Sequence, residues 1–325
     1  LLNGHVSMFL KVTNMGQRWE HEDRMRESNI QHSGYVAPMS LLVKDHSKYP
    51  EGGLPKTRAV VSGNEGVGAA FSNLLSEVIE PLADEVMDKL EVNSTEDFMS
   101  RVDSVNEKLA REWTSEDEVG ILGFDVKALF ASMSAHQTAR VVRDAFLESK
   151  LEVLGVDYES AAMYVRYNMS DAEIRALKLT RVVPVRRYSR GQAPGVTSAE
   201  SLHADNTRQE DKWVFPKVEL MDWEKRALMA AVLEVGVRTA WTNSLYQFGG
   251  RYYHQQSGGP TGRRITMAAS RIVVGYNIGK ELSEMLQSAQ IKVWSKSGYV
   301  DDLRWYINLF SGVKWSDDPR KFEPL

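Results

Sequence analysis

The sequence predicts an α+β protein in which short antiparallel strands pack on helices. Two observations carry this. Apolar residues recur at helical spacing in long stretches near 68–90, 94–105, 134–147, 223–241 and 264–286. Between them lie short runs that are β-branched or alternate in polarity, near 39–43, 59–62, 119–126, 245–253 and 293–309, several of them next to Gly or Pro. No internal repeat or low-complexity segment interrupts the pattern.

Composition limits the possible functions. A chain of 325 residues has room for a substantial core and about two domains. With 40 Lys and Arg against 44 Asp and Glu, any basic surface must be local. The absence of cysteine excludes disulfides, zinc fingers and thiol nucleophiles. No apolar run approaches the roughly 20 residues that span a bilayer, and the start, LLNGHVSMFL, lacks a signal-peptide pattern. The expectation is a soluble intracellular protein, nuclear or cytoplasmic, with no membrane partner. Its first residue, Leu1, suggests a fragment.

In chain order, KDHSKYPEGGLPKT (44–57) reads as the loop of a hairpin between Met39–Val43 and Ala59–Ser62, carrying Lys44, Lys56 and Arg58. A helix follows over Gly68–Leu90, which Pro81 should bend or interrupt. Ser94-Thr-Glu-Asp97 has the form of a capping box opening a second helix through Phe98, Val102 and Val105. Val119–Val126 reads as a buried apolar strand whose one carboxylate, Asp125, needs a partner for its charge. Ser134 caps a helix through Val141, Val142, Phe146 and Leu147.

Residues 180–216 hold Arg181, Arg186, Arg187 and Arg190 with no acid before Glu200, an exposed basic loop serving either nucleic-acid contact or solubility. Trp223–Trp241 reads as a core helix. Gly249-Gly250 marks a hairpin turn within LYQFGGRYY. The chain then enters QQSGGPTG (255–262), a bend that opens the helix Arg264–Leu286. Such a bend either lets backbone approach a nucleotide or is only a sharp turn.

SGYVDDLRW (297–305) places Asp301 and Asp302 at a hairpin turn, since Leu303, Trp305, Ile307 and Leu309 alternate with Arg304, Tyr306 and Asn308 as in a strand. A second pair, Asp317-Asp318, precedes Pro319 in a polar stretch and reads as an exposed turn. If the Asp125 strand and the Asp302 strand share a sheet, three carboxylates converge, and such crowding of negative charge calls for cations. Two Mg²⁺ ions about 4 Å apart, held by oxygen ligands, are the common means of joining a hydroxyl to a nucleotide α-phosphate.

With these motifs in place, the chain resembles the reverse transcriptases. FDVKALF (124–130), GGPTGRRIT (258–266) and YVDD (299–302) look like that family's first, second and third palm motifs in order, and LLVKDHSKYPEGGLPKTRAVVSG is similar to its fingers hairpin. KDH, KTRAVVSG, STEDF and QFGGRYYHQQSGG are most similar to the Penelope-like branch of retroelement enzymes.

The resemblance implies right-hand fingers and palm, with an antiparallel palm sheet packed on helices. Residues 1–118 would be fingers and N-terminal segment, 119–150 the first palm segment, 151–257 a connection holding the basic loop, and 258–325 the rest of the palm. With 23 residues after Asp302, the thumb would be missing, leaving Trp305–Trp315 exposed. Asp125, Asp301 and Asp302 would be catalytic and bind two Mg²⁺, or Mn²⁺ as substitute, helped by the Val126 carbonyl. Lys44, Lys56 and Arg58 would face the triphosphate. Phe130 would exclude a 2′-hydroxyl, and Pro260, Thr261 and Gly262 would shape the floor of the nucleotide site. Many relatives carry Gln where Thr261 stands. Tyr299, Arg186 and Arg187 would contact primer or template.

The implied reaction adds deoxynucleotides to a primer on an RNA or DNA template, with pyrophosphate release. An RNA-dependent RNA polymerase, or an inactive palm that only binds nucleic acid, are the alternatives. Oligomeric state is not legible.

Overall fold

The computed structural model describes residues 36–43, 53, 57–61, 68–88, 90–112, 119–126, 129–153, 157–186, 213–214, 219–242, 244–260, 262–299, 302–308, 313–314 and 323–324. Helices and largely antiparallel sheets make up this part of the chain, as the α+β reading expects. It divides into two compact units, one holding residues 152–235 and the other 23–151 with 236–325.

In the larger unit, strand β1 (Ala37–Val43) and strand β2 (Thr57–Val61) form the expected antiparallel hairpin, with Leu42 opposite Arg58. A second hairpin joins it: β6 (Leu245–Phe248) and β7 (Arg251–His254) turn at Gly249 and Gly250. Both glycines have positive φ, 57° and 74°, as a two-residue turn matched to strand twist requires. Strand β1 pairs with β6 in parallel through Ala37 and Tyr246, giving the order β2-β1-β6-β7. Nothing local in the sequence signals this pairing.

Helix α1 (Ala69–Met87) contains Pro81 without interruption. Its ring lies on the exposed side, while Phe71, Leu74, Leu75, Ile79 and Leu82 are buried. Tertiary burial of that stripe outweighs the one hydrogen bond proline removes. Helix α2 (Thr95–Glu112) begins as expected: Ser94 Oγ accepts from Asp97 N–H at 3.1 Å, while the Asp97 carboxylate accepts from Asn93 N–H.

The second sheet runs β3-β9-β8, from β3 (Val119–Asp125), β9 (Asp302–Asn308) and β8 (Val293–Tyr299). Here the structure corrects two expectations. Strand β3 is not buried, because it is an edge strand: one face, including Ile121 at 64% exposure, is open, and the other is only half-buried. Trp305 is not exposed but fully enclosed, with Leu303 and Ile307, because β9 is the central strand. The Lys296 ammonium lies 4.3 Å from the Trp305 ring centroid. Asn308, expected on the polar face, is also buried.

Helices α3 (Leu129–Ser132) and α4 (Ala135–Glu148) follow β3, and Ser134 caps α4 by accepting from Gln137 N–H. The expected helix over 264–286 is three segments: α8 (Arg264–Ile272), a π-helical turn (Val273–Ile278) and α9 (Gly279–Ser288). Helix α8 packs on α1 and α4. In the π turn, a Cβ on Gly275 would stand 2.6 Å from Val86 Cγ1, so only glycine admits this approach to α1. Arg271 donates to both Glu91 oxygens and to Asp84, tying α8 to α1 and to the Glu91–Gly298 bridge at the sheet edge.

The smaller unit holds α5 (Tyr158–Asn168), α6 (Asp171–Ala176), a 3₁₀ turn at Leu179–Arg181 and the strand pair β4 (Val185–Arg186) with β5 (Trp213–Val214). The boundary between units falls inside α7 (Asp222–Thr242), buried almost all round from Ala227 to Val237.

Arg181, the first cation of the segment read as an exposed basic loop, is exposed but ion-paired. Its guanidinium grips both oxygens of Glu224, a fully buried carboxylate 43 residues away that also accepts from Met221 N–H. The Arg181 hydrogen bonds hold the Glu224 carboxyl below its ordinary value of 4.5, against the opposing effect of burial. A lowered carboxyl pKa contributes stability that is present above 4.5 and lost as pH falls through the folded-state value. The unfolding midpoint of the wild type should therefore decline on acidification below about pH 4.5, and Glu224→Gln should flatten that decline while lowering stability at neutral pH. Equal acid sensitivity of the two proteins in pH-resolved thermal melts would refute this.

Candidate functional site

The β3–β9 ladder runs in unbroken register from Val119 opposite Asn308 to Asp125 opposite Asp302. On the other side of β9, Asp302 pairs with Tyr299 of β8. One row across the sheet is thus Asp125, Asp302, Tyr299, and directly opposed residues share a face. Two of the three expected carboxylate positions, 177 residues apart in sequence, are brought to the same end of the same sheet.

Asp125 is exposed at the last position of β3. Asp302 and Tyr299 are described by their backbones alone, and Asp301 lies outside the described residues, as do Lys44, Lys56, Arg187, Arg190, Thr261 and the second pair, Asp317-Asp318. Among the described residues, no cluster of three or more metal-ligating side chains forms. Arg58 is exposed in β2, and Arg186 stands in β4 with its backbone alone described.

Past β3, the Val126 carbonyl accepts from Leu129 N–H at 3.2 Å, closing the turn into α3. Phe130, the second residue of α3, is half-buried, neither an enclosed core ring nor a fully open one. Its carbonyl accepts from Gly259 N–H at 2.5 Å. The first motif and the glycine-rich bend therefore touch through backbone.

The bend is held from several sides. The Gln255 amide donates to the carbonyls of Ser257 and Gly259, each at 3.0 Å. Thr266 Oγ1 donates to the Pro260 carbonyl at 2.7 Å, and Arg263 N–H donates to the same oxygen. The Arg263 guanidinium is buried and donates to the Ala240 carbonyl of α7, and burial pushes its pKa down to about 10. Pro260 is buried, while Gly262 is exposed with φ 85°. The bend is a braced backbone segment packed on α3. Gln255, Arg263 and Thr266 do this bracing, and sequence reasoning missed all three as site residues. The only signal was their place beside the glycines.

No protein-family model matches this sequence, and no curated protein matches it. Similar solved structures include telomerase from Candida albicans in complex with the TWJ fragment of telomeric RNA, at TM-score 0.44 and 12% identity, covering 85% of this chain and 38% of that one. Another is the BmCPV RNA-dependent RNA polymerase at its elongation state, at TM-score 0.42 and 10% identity, covering 95% of this chain and 21% of that one. This chain therefore spans well under half the length of either.

Like charges directly opposed across an antiparallel pair destabilise a sheet. Without divalent cations, Asp125→Asn should raise stability by a few tenths of a kcal/mol. A denaturant titration in chelator showing the variant less stable than wild type would contradict the facing of these two charges.

Proposed function

We propose that this chain is the fingers and palm portion of a template-directed nucleotidyltransferase of the reverse transcriptase type. The observation that carries the reading is the register of β3 with β9, which sets the aspartate of FDVKALF opposite the last aspartate of YVDD. The braced GGP bend, in contact with the α3 backbone beside Phe130, is the second support. The Penelope-like assignment rests on sequence resemblance alone.

The residues suit a hard divalent cation. An exposed carboxylate, opposed in register by a second that is itself adjacent in sequence to a third, is an all-oxygen donor set that prefers magnesium over softer metals. Asp125, Asp302 and Asp301 would hold the ions, with the Val126 carbonyl as a further donor. When bound, magnesium lowers the pKa of the primer hydroxyl and neutralises charge on the pyrophosphate. The primer 3′-oxygen forms a bond to the α-phosphorus of the incoming nucleotide, the bond to pyrophosphate breaks, and no protein nucleophile takes part.

The protein's own contribution is positional. Strand β3 presents Asp125 at its end, and α3, which carries Phe130, begins four residues later. In this reading Phe130 meets the sugar and disfavours a 2′-hydroxyl, and Arg58 with Lys44 and Lys56 draws the triphosphate. Template and primer would be RNA or DNA. No helix among the described residues is long and apolar enough to cross a membrane.

The test is primer extension by the full reading frame, with RNA and DNA templates, both nucleotide types, and Mg²⁺ or Mn²⁺. Asp125→Asn and Asp302→Asn should each lower the rate by roughly 100-fold or more. Undiminished extension by either variant would overturn the site. Phe130→Ala should raise ribonucleotide use, and an unchanged preference would remove Phe130 from that role. Preference for ribonucleotides by the wild type would favour an RNA polymerase, and binding without extension a palm that has lost catalysis.

A further inference from the structure

The bend and α3 approach each other so closely that a side chain at position 258 would require its neighbours to shift by some tenths of an ångström. A Cβ on Gly258 would lie 3.1 Å from the Phe130 carbonyl oxygen and 3.1 Å from both Cα and carbonyl oxygen of Ala131. All three are backbone atoms, which cannot rotate away. Gly258 also has φ 80°, a region that side chains disfavour. Next to it, Gly259 donates to the Phe130 carbonyl, and its own Cβ would stand 2.8 Å from Thr266 Cγ2 and 3.1 Å from Trp241 Cζ2. Gly259 is thus clamped between α8, the end of α7 and α3.

We infer that Gly258 is a positioning residue for sugar selectivity, acting through the backbone of α3 on the Phe130 ring. This rests on the polymerase reading above. The reasoning is mechanical. Helix α3 is a single turn of four residues, too short to resist displacement by itself. It is held by the Val126 to Leu129 hydrogen bond just after β3, by the buried Leu129 side chain, by the helix's packing on α8, and by the glycine pair. The bend is braced by Gln255, Arg263 and Thr266, so it is the stiff partner and α3 is the one that yields. A side chain at position 258 therefore pushes Phe130 and Ala131 by some tenths of an ångström. Asp125 is the last residue of β3 and its backbone is fixed by the ladder opposite Asp302, whereas α3 lies beyond the ladder, so the push falls on the ring more than on the carboxylate. Sugar discrimination changes before catalysis does.

Discrimination is read as the ratio of kcat/KM for a deoxynucleotide to that for the matching ribonucleotide, in primer extension by the full reading frame. Gly258→Ala should lower this ratio by roughly 10-fold. In a Phe130→Ala background the same substitution should change it by less than about twofold, since non-additivity is the mark of two residues acting through one contact. A variant that merely loosened the fold would depress both nucleotides alike and leave the ratio intact. Gly258→Asn serves as the second variant, because Asn tolerates positive φ while still carrying the Cβ, and it carries the test if Gly258→Ala does not fold. An unchanged ratio in either folded, active variant overturns the proposal, as does a full effect in the Phe130→Ala background. Absence of any extension by the wild type would instead refute the polymerase reading, and this proposal with it.

Discussion

A one-residue slip between β3 and β9 would carry Asp125 to the face away from Asp302, because successive residues of a strand point to opposite sides. Everything proposed about the site depends on that register. It is set by the apolar face of the sheet: Leu303, Trp305 and Ile307 are enclosed, and their partners Phe124, Leu122 and Gly120 share that side of β3. The buried indole of Trp305 in the central strand makes a slip costly, since it would turn a large apolar ring outward. Burial at the middle of the sheet thus determines where charges meet at its end.

The second constraint is backbone against backbone. Gly258 and Gly259 let the bend touch α3 without intervening side chains, and the contact includes a hydrogen bond to the Phe130 carbonyl. Gly275 likewise admits the close approach of the π turn to α1, where a Cβ would meet the Val86 and Met87 side chains. Helix α8 lies between these two contacts, held also by the Arg271 ion pairs with Glu91 and Asp84. The helix layer is therefore fastened to the bend at one end and to the sheet edge through Glu91 at the other.

Features that depend on neighbours in sequence were legible beforehand. The Ser134 and Ser94 caps, the Gly249-Gly250 turn, the β1–β2 hairpin and the alternation in β9 follow from hydrogen-bonding geometry and periodicity within a few residues. The errors fell where distant residues decide. Pro81 was expected to disturb α1, but packing of its apolar stripe prevails. Arg181 looked like one cation of a basic loop, yet Glu224 lies 43 positions away and folds back onto it. Strand β3 has an apolar composition suited to burial, and its place at a sheet edge leaves one face open.

By itself the sequence determined the chemistry on offer: carboxylates bounded by strand patterns, a glycine bend before a helix, an aromatic five residues after Asp125, and no cysteine. Those are properties of residue type and short-range order. Only the tertiary structure decided that Asp125 and Asp302 oppose each other, and that the bend packs on α3. The physical reason is that strand pairing and close backbone approach join residues more than a hundred positions apart. Their cost is loop closure and their gain is burial, neither of which a local pattern encodes.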